Sequence, residues 1–373
     1  MTEASRLSKI STSLIRRMFE VVERAKKEGK EIINLSIGEP DFDTPTEVVE
    51  RACKAMKEGY THYTSNFGIP ELREAIAERY GVSAGEVMVT AGASEALLNA
   101  SLAFIERGSE VVIPSPNFLS YFTYAKMCEA KTIQLRTHDN GFVVDPDELN
   151  EIMSDRVSVI FLNYPNNPTG AVADERTLKA IAEIAQDNRA VVISDEIYDT
   201  IYYDRKPSSL AGMENVVVIN GFSKSLAMTG WRIGFVIAGD ALLDSMLKVH
   251  QVNGVCAPAF AQKAVAEVLA EGLFDGLVRR MVEEFRRRRD FVYSRLKRIY
   301  DVVKPEGAFY IFPNVRRNCL EFVEDLLIKT GVAVTPGVAF GDWNETYVRI
   351  SYATSMENLK KAMERLEEYD SSA

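Results

Sequence analysis

The sequence has few of the residues that mark secreted, metal-binding or membrane proteins. Its four cysteines (Cys53, Cys128, Cys256 and Cys319) are spread over 373 residues without a CxxC pair, whereas secreted disulfide scaffolds are short and dense in cysteine. The three histidines lack metal-ligand spacing, so no metal site is expected. The sequence shows no apolar run of membrane-spanning length and no signal-peptide core near Met1. These absences predict a cytoplasmic protein with no membrane partner.

An excess of positive charge is also missing. The chain has 44 lysines and arginines against 54 acidic residues, a net charge of −10, whereas nucleic-acid binders usually carry a basic footprint. We therefore expect no nucleic-acid partner. The run Arg286 to Arg289 lies in a helical pattern beside acidic residues, and we interpret it as a solvated helix face. Hydrophobic and charged fractions of 46% and 26% are typical of a globular chain.

Short apolar strands alternate with helical segments through most of the chain. Several strands are apolar at consecutive positions, as strands covered on both faces tend to be. Helical patterns such as Ser94–Glu106 and Glu175–Asn188 separate many of them. This alternation predicts an α/β sheet with helices on both faces. The predicted strands are Val87–Thr90, Glu110–Pro114, Thr132–Arg136, Val157–Asn163, Ala190–Asp195, Val216–Asn220 and Ile233–Ala238.

The two ends of the chain follow another pattern. Leu14 to Lys27 has helical apolar spacing and precedes a short strand that runs from Ile32 to Gly38. From about Leu277 a long charged helix extends to Ile299, and short strands and a last amphipathic helix follow. The C-terminal pattern predicts a smaller α+β domain.

The segment from Gly221 to Gly234 places two cations just after a buried strand. In open α/β sheets, ligands bind at the carboxyl ends of strands. Lys224 is flanked by small residues, and Arg232 follows eight residues later. A lysine that forms a Schiff base and an arginine that binds phosphate are what pyridoxal phosphate requires. Taken alone, each is more often a surface charge.

Three other strand ends carry polar groups. Ala93 and Ser94 open a helix after a glycine-containing turn, where backbone N–H groups bind phosphate or Ser94 caps the helix. Asn167 lies in a stiff turn with two prolines. Asp195 and Tyr198 follow an apolar run, and a buried carboxylate is costly unless a group such as a protonated pyridine pairs with it.

In this order, the motifs resemble those of fold-type I pyridoxal-phosphate enzymes of the class I/II aminotransferase family. The similarity extends from Ser36–Phe42 through Tyr63–Arg73 to Val348–Ala353. It implies a large domain with a mostly parallel seven-stranded sheet between helices, and a smaller α+β domain formed by the N- and C-terminal segments. The implied boundaries are residues 1–45 for an N-terminal arm and part of the small domain, 46–280 for the large cofactor-binding domain and 281–373 for the small domain.

The resemblance implies catalysis by Lys224, Asp195 and Tyr198. Lys224 corresponds to the lysine that forms the Schiff base, and Asp195 to the carboxylate that pairs with the pyridine nitrogen. Asn167 and Tyr198 are expected to bind the phenolic oxygen, and Phe118 to stack on the ring.

The resemblance also implies residues for the phosphate and the substrate carboxylate. Ala93, Ser94, Ser223 and Arg232 would hold the phosphate, with Ser223 the candidate substitute for a serine that relatives carry at Gly221. Tyr63 would reach the phosphate bound by the partner subunit, which implies a homodimer with shared active sites. The implied substrate-binding residues are Gly38, Asn167 and Arg349.

The function implied is a ping-pong transfer of an amino group from an L-amino acid, aspartate or a broad set, to a 2-oxo acid such as 2-oxoglutarate. An aromatic or alanine aminotransferase, or a carbon–sulfur lyase or synthase with the same cofactor, remains an alternative. We expect neither a sensor-type regulator, which would need an N-terminal DNA-binding domain, nor a nicotinamide-binding enzyme, which would need a GxGxxG motif at the first strand–helix turn. Arg6, Arg16 and Arg17 are candidates to bind an acidic side chain, although a solvated role suits each equally well.

Overall fold

The computed structural model describes residues 4–8, 10 and 31–372 of the chain. The strands, in chain order, are β1 (Ile33–Asn34), β2 (Val87–Thr90), β3 (Glu110–Ser115), β4 (Lys131–Arg136), β5 (Val157–Asn163), β6 (Val191–Asp195), β7 (Val216–Gly221), β8 (Gly234–Ile237), β9 (Tyr310–Ile311), β10 (Val332–Ala333), β11 (Thr335–Pro336) and β12 (Val348–Ser351). The helices are α1 (Thr46–Lys57), α2 (Pro70–Tyr80), α3 (Ala93–Phe104), α4 (Leu119–Met127), α5 (Pro146–Ile152), α6 (Glu175–Asp187), α7 (Phe222–Ser225), α8 (Asp240–Asn253), α9 (Ala259–Ala270), α10 (Phe274–Leu296), α11 (Cys319–Thr330) and α12 (Met356–Ser371).

The largest sheet has seven strands in the order β2-β8-β7-β6-β5-β3-β4. Strand β8 is antiparallel to both of its neighbours, and the remaining pairs are parallel. All seven strands predicted from the sequence are present, with boundaries that differ by at most one residue. The predicted α/β class and mostly parallel seven-stranded sheet are therefore confirmed.

Consecutive apolar residues occur because both faces of this sheet are covered. In β7, Val216 and Val218 pack into the core on one face, and Val217 and Ile219 pack into the core on the other. Successive side chains of a strand point to opposite faces, so a doubly covered strand has no polar face. The inward face of α6 packs into the first of these cores, and that of α3 into the second.

The N-terminal segment joins the C-terminal part of the chain. Strand β1 pairs in parallel with β10, and β12 lies between β11 and β9. Leu35 shares a buried cluster with Phe285 of α10 and Leu366 of α12. The helix predicted over Leu14 to Lys27 lies outside the described residues.

The division at residues 45 and 280 remains our proposal. Helix α10 is continuous across residues 280 and 281, so the second boundary falls within a helix that both parts share. Among the described residues, no helix is both long and apolar enough to cross a lipid bilayer.

The interpretation of the arginine run as a solvated face is wrong for two of its four residues. Arg288 and Arg289 are only 6% and 1% exposed. Arg288 donates to Asp41 at 2.6 Å and, as the sequence suggested, to Glu284 one turn earlier. Arg289 donates to Asp204 at 2.7 Å. These distant carboxylates bring the two guanidinium groups into the interior, and local charge spacing gives no sign of them.

Candidate active site

The carboxyl ends of β5, β6 and β7, the start of α3 and the segment before α1 surround a cavity of about 250 Å³. Residues predicted from the sequence make up most of its wall. Those that line it are Gly38, Ala93, Ser94, Phe118, Asn167, Asp195, Tyr198, Ser223, Lys224, Arg232 and Arg349. Tyr63 is not among the lining residues and is 84% exposed.

Lys224 lies on the short helix α7, directly after β7. Its Nζ donates to the carbonyl oxygen of Gly38 at 2.7 Å. Burial lowers the pKa of Lys224 to about 8, while the carboxylate of Glu39 acts in the opposite direction. Burial disfavours the charged amine, so the lysine has a larger neutral fraction near pH 7 than an exposed one. A neutral amine is the form that attacks a carbonyl group.

Asp195 ends β6 with its carboxylate buried. Oδ2 accepts a hydrogen bond from the Tyr121 hydroxyl at 2.7 Å, and Oδ1 accepts one from the backbone N–H of Ile197 at 3.2 Å. Burial raises the pKa of Asp195 to about 6, and the hydrogen bond from Tyr121 opposes that rise. A cationic ring nitrogen in the cavity would stabilise the ionised carboxylate.

The turn between β2 and α3 forms one end of the cavity. Gly92 has φ +89°, and a Cβ there would lie 2.9 Å from Cζ of Arg232 and closer still to Nη2. No described side chain caps α3, so Ser94 does not play the capping role considered for it. Glu95 accepts the backbone N–H of Ala91 at 2.6 Å and holds the turn. An uncapped helix N-terminus next to a guanidinium suits a phosphate group.

Arg349 lies on β12, lines the cavity and is 3% exposed. Nη1 donates to Oδ1 of Asn167 at 2.9 Å, and Nη2 donates to the carbonyl oxygen of Ser36 at 2.6 Å. Its Cζ lies over the rings of Tyr310 and Phe340, 4.6 and 5.0 Å from their centroids. Burial lowers the pKa of Arg349, and its Nε has no partner in the described part of the chain. A buried arginine of this kind suits a carboxylate ligand.

The turn that carries Asn167 is held by Asn163 at the end of β5. The side-chain oxygen of Asn163 accepts the N–H of Asn167 at 2.8 Å, and its amide donates to the backbone oxygen of Asp195 at 2.8 Å. The side chain of Asn163 therefore links the turn after β5 to the end of the neighbouring strand β6. The sequence predicted a stiff turn from its prolines, and this hydrogen-bonded link to β6 is an additional restraint that the proline spacing does not indicate.

Sequence reasoning did not assign several of the lining residues to the site, among them Ser36, Tyr121 and Tyr310. The hydroxyls of Tyr310 and Tyr198 are 2.9 Å apart. Tyr121 follows Phe118 by three residues at the start of α4, a spacing that could have placed both on one helix face. No comparable signal marks Tyr310, which belongs to a two-residue strand.

The residues present fit pyridoxal phosphate. The cavity combines an amine of lowered pKa, a buried carboxylate and an aromatic side chain, Phe118, in one wall. The close approach of Arg232 to Gly92 forms a cradle for a phosphate. Arg349, a buried cation that lines the same cavity, suits a second anionic group.

Comparison with known proteins gives concordant results. The family model "Aminotransferase class I and II" matches residues 30–366. The chain is 45% identical to an aspartate aminotransferase of Pyrococcus horikoshii, over 98% of this chain and 96% of that protein. It is 40% identical to aromatic-amino-acid aminotransferase 2 of Thermococcus litoralis, over 98% of each chain. The solved structure of aspartate aminotransferase from Thermus thermophilus with maleate superposes with a TM-score of 0.94 and 34% identity, over 99% of each chain.

Proposed function

The chain belongs to the aminotransferase class I and II family and is a pyridoxal-phosphate-dependent transaminase, and we propose that it transfers the amino group of aspartate to a 2-oxo acid such as 2-oxoglutarate. The observation that carries the assignment of the site is the convergence of Lys224, Asp195 and Arg349 on one cavity. The choice of aspartate is supported by relatives that bear that name.

We propose three roles for the residues next to the reacting atoms. Pyridoxal phosphate, when bound, supplies an aldehyde that captures the substrate amine and a protonated ring that withdraws electrons from its Cα. Lys224 holds the cofactor, and its free amine then accepts the proton from Cα, which its lowered pKa favours. Asp195 keeps the ring nitrogen protonated. Arg349 and Asn167 bind the substrate α-carboxylate and so orient the Cα–H bond.

The remaining residues are proposed to position the cofactor. Ala93 and Ser94 offer backbone N–H groups to the phosphate at the start of α3, and Arg232 and Ser223 lie beside them in the cavity wall. Phe118 stacks on the ring, and Tyr198 and Asn167 donate to the phenolic oxygen. The backbone of Gly38 helps to bind the substrate carboxylate. Each role uses a group that already faces the cavity.

We also propose a homodimer in which each subunit donates Tyr63 to the site of its partner. In the single chain, Tyr63 is 84% exposed and Val252 is 78% exposed. Tyr63 does not line the cavity of its own chain, and its exposure leaves the side chain available to reach the site of a partner subunit. A cytoplasmic location is supported by the four cysteines, all of which are unpaired.

The test is an absorbance titration of the purified protein loaded with pyridoxal phosphate. We expect a visible Schiff-base band that bleaches with aspartate and returns with 2-oxoglutarate, and no such band in Lys224→Ala. Bleaching by phenylalanine but not by aspartate would favour the aromatic alternative, which the Thermococcus relative supports. Release of ammonia from a single substrate would instead establish a lyase.

A further inference from the structure

Tyr121 is buried where its hydroxyl reaches the carboxylate of Asp195. The Oη–Oδ2 distance is 2.7 Å, and the side chain is fully buried. Its ring is stacked on Phe161, with centroids 4.7 Å apart and planes 7° apart. Phe118 packs edge-on against it at 5.6 Å. The two aromatic contacts hold the hydroxyl at one position, so the hydrogen bond is built into the core.

The carboxylate of Asp195 receives one hydrogen bond at each oxygen, from Tyr121 and from the N–H of Ile197. Hydrogen bonds to a carboxylate favour its ionised form, whereas burial favours the neutral acid. The hydrogen bond from Tyr121 offsets burial most strongly at this carboxylate, ahead of the N–H of Ile197 and the positive charge of Lys224. It also restricts which way Oδ2 points, and a carboxylate must be both ionised and oriented to hold a proton on a neighbouring ring.

We propose that Tyr121 is a positioning residue, whose hydroxyl keeps Asp195 ionised and oriented so that the ring nitrogen of the cofactor stays protonated. This inference rests on the proposed pairing of Asp195 with that nitrogen. Tyr121 acts through Asp195 and touches neither substrate nor reacting atoms.

The experiment uses holoenzyme loaded with pyridoxal phosphate carrying ¹⁵N in the ring. Tyr121→Phe keeps the stacked ring and removes only the hydroxyl. We expect the ¹⁵N chemical shift of the variant near neutral pH to lie closer to the unprotonated value than in the parent, because without this hydrogen bond the carboxylate competes about tenfold better for the proton, one unit of pKa. We also expect kcat to fall about tenfold with KM little changed, because the effect belongs to the transition state.

Tyr124→Phe is the matched control. Tyr124 lies one turn further along α4, and its hydroxyl is directed to the carbonyl oxygen of Ser94 at 3.4 Å rather than to Asp195. We expect its ¹⁵N titration to match that of the parent. An equal shift in both variants would overturn the proposal, because it would reflect a general disturbance of α4.

A second cofactor separates positioning from packing. Pyridoxal phosphate methylated at the ring nitrogen carries a permanent positive charge, so on this analogue Tyr121→Phe should equal the parent. A defect that persists there would show a structural role and overturn the proposal. If the ring nitrogen is unprotonated in the parent enzyme, the proposed role of Asp195 itself is wrong. If the ring nitrogen is protonated in the parent and equally protonated in Tyr121→Phe, only the inference about Tyr121 is overturned.

Discussion

At the scale of single residues, the site depends on burial that moves two pKa values toward neutrality. The pKa of Lys224 falls to about 8 and that of Asp195 rises to about 6. In both residues burial is the largest cause, since the charged form loses hydration. The lysine thereby gains a neutral fraction, and the aspartate gains a strong preference for a cationic partner.

The pKa of Lys224 predicts how its reactivity changes with pH. In cofactor-free protein, competitive labelling with acetic anhydride should reach half its maximum at Lys224 near pH 8, against about 10.4 for an ordinary lysine. Peptide mass spectrometry at several pH values measures this. Glu39→Gln should move the midpoint lower, because the carboxylate raises the pKa. A midpoint close to that of an ordinary lysine would contradict the prediction.

The raised pKa of Asp195 predicts a pH-dependent stability. The folded chain binds more protons at this site than the unfolded chain between about pH 4 and pH 6, so the free energy of unfolding falls as pH rises through that range. The cofactor-free Asp195→Asn variant has no carboxyl group at this position, so its free energy of unfolding does not fall with pH for this reason. We expect it to exceed the parent in stability at pH 8 by at most about 3 kcal/mol, and by little near pH 4.

Urea unfolding at the two pH values measures the difference. Glu196, whose pKa burial raises to about 7, is common to both proteins and cancels in the comparison. With pyridoxal phosphate bound, the parent should be more stable than Asp195→Asn, because the carboxylate then has a cationic partner. An advantage of the asparagine variant that is equal at pH 4 and pH 8 would show that charge is not its cause.

At the scale of elements, the turn between β2 and α3 combines a left-handed residue with a close guanidinium. Gly92→Ala adds a Cβ that meets Arg232, in addition to the cost of a positive φ. Gly108 has nearly the same φ, +86°, with nothing within 4 Å of its Cβ position. The two glycines therefore separate the cost of backbone conformation from the cost of displacing Arg232.

Both alanine variants should lose about 1 kcal/mol of stability from the backbone. Only Gly92→Ala should bind pyridoxal phosphate more weakly, by about tenfold or more, because losing one charge-assisted contact costs 1.5 kcal/mol or more. Equilibrium dialysis of the cofactor and urea unfolding measure the two effects. Equal affinities in the two variants would mean that Arg232 does not hold the phosphate.

At the scale of the whole molecule, the site is assembled from three parts of the chain. Ser36 and Gly38 come from the N-terminal segment, Asp195 from the end of β6 and Lys224 from α7 directly after β7, and Arg349 from β12. Burial of Arg288 against Asp41 ties α10 to the same N-terminal segment. The shape of the cavity therefore depends on how the N- and C-terminal segments pack against the large sheet.

The proposed dimer predicts complementation between two damaged subunits. Tyr63→Ala and Lys224→Ala are expected to be weakly active or inactive alone. After unfolding and refolding together in equal amounts, half of the dimers are mixed, and each has one site with an intact lysine and an intact partner tyrosine. We expect about a quarter of the parental activity. Activity no higher than the mean of the separate variants would contradict a shared site.

The sequence by itself determined the strands of the large sheet and most of the residues around the cavity. Runs such as Val216–Gly221 are apolar on consecutive positions because both faces are buried, and that pattern is local. Lys224, Asp195 and Asn167 follow such runs, so their place at a common sheet edge could be predicted. Their roles came from the family resemblance and remain proposals.

Only the tertiary structure decided which distant groups meet. Tyr121 is 74 residues from Asp195, and Arg349 is 182 residues from Asn167, yet each pair forms a hydrogen bond. The burial of Arg288 and Arg289 likewise depends on carboxylates far along the chain. Helix and strand patterns are set by neighbours within a few residues, whereas these contacts depend on how packed elements cross, which no local spacing records.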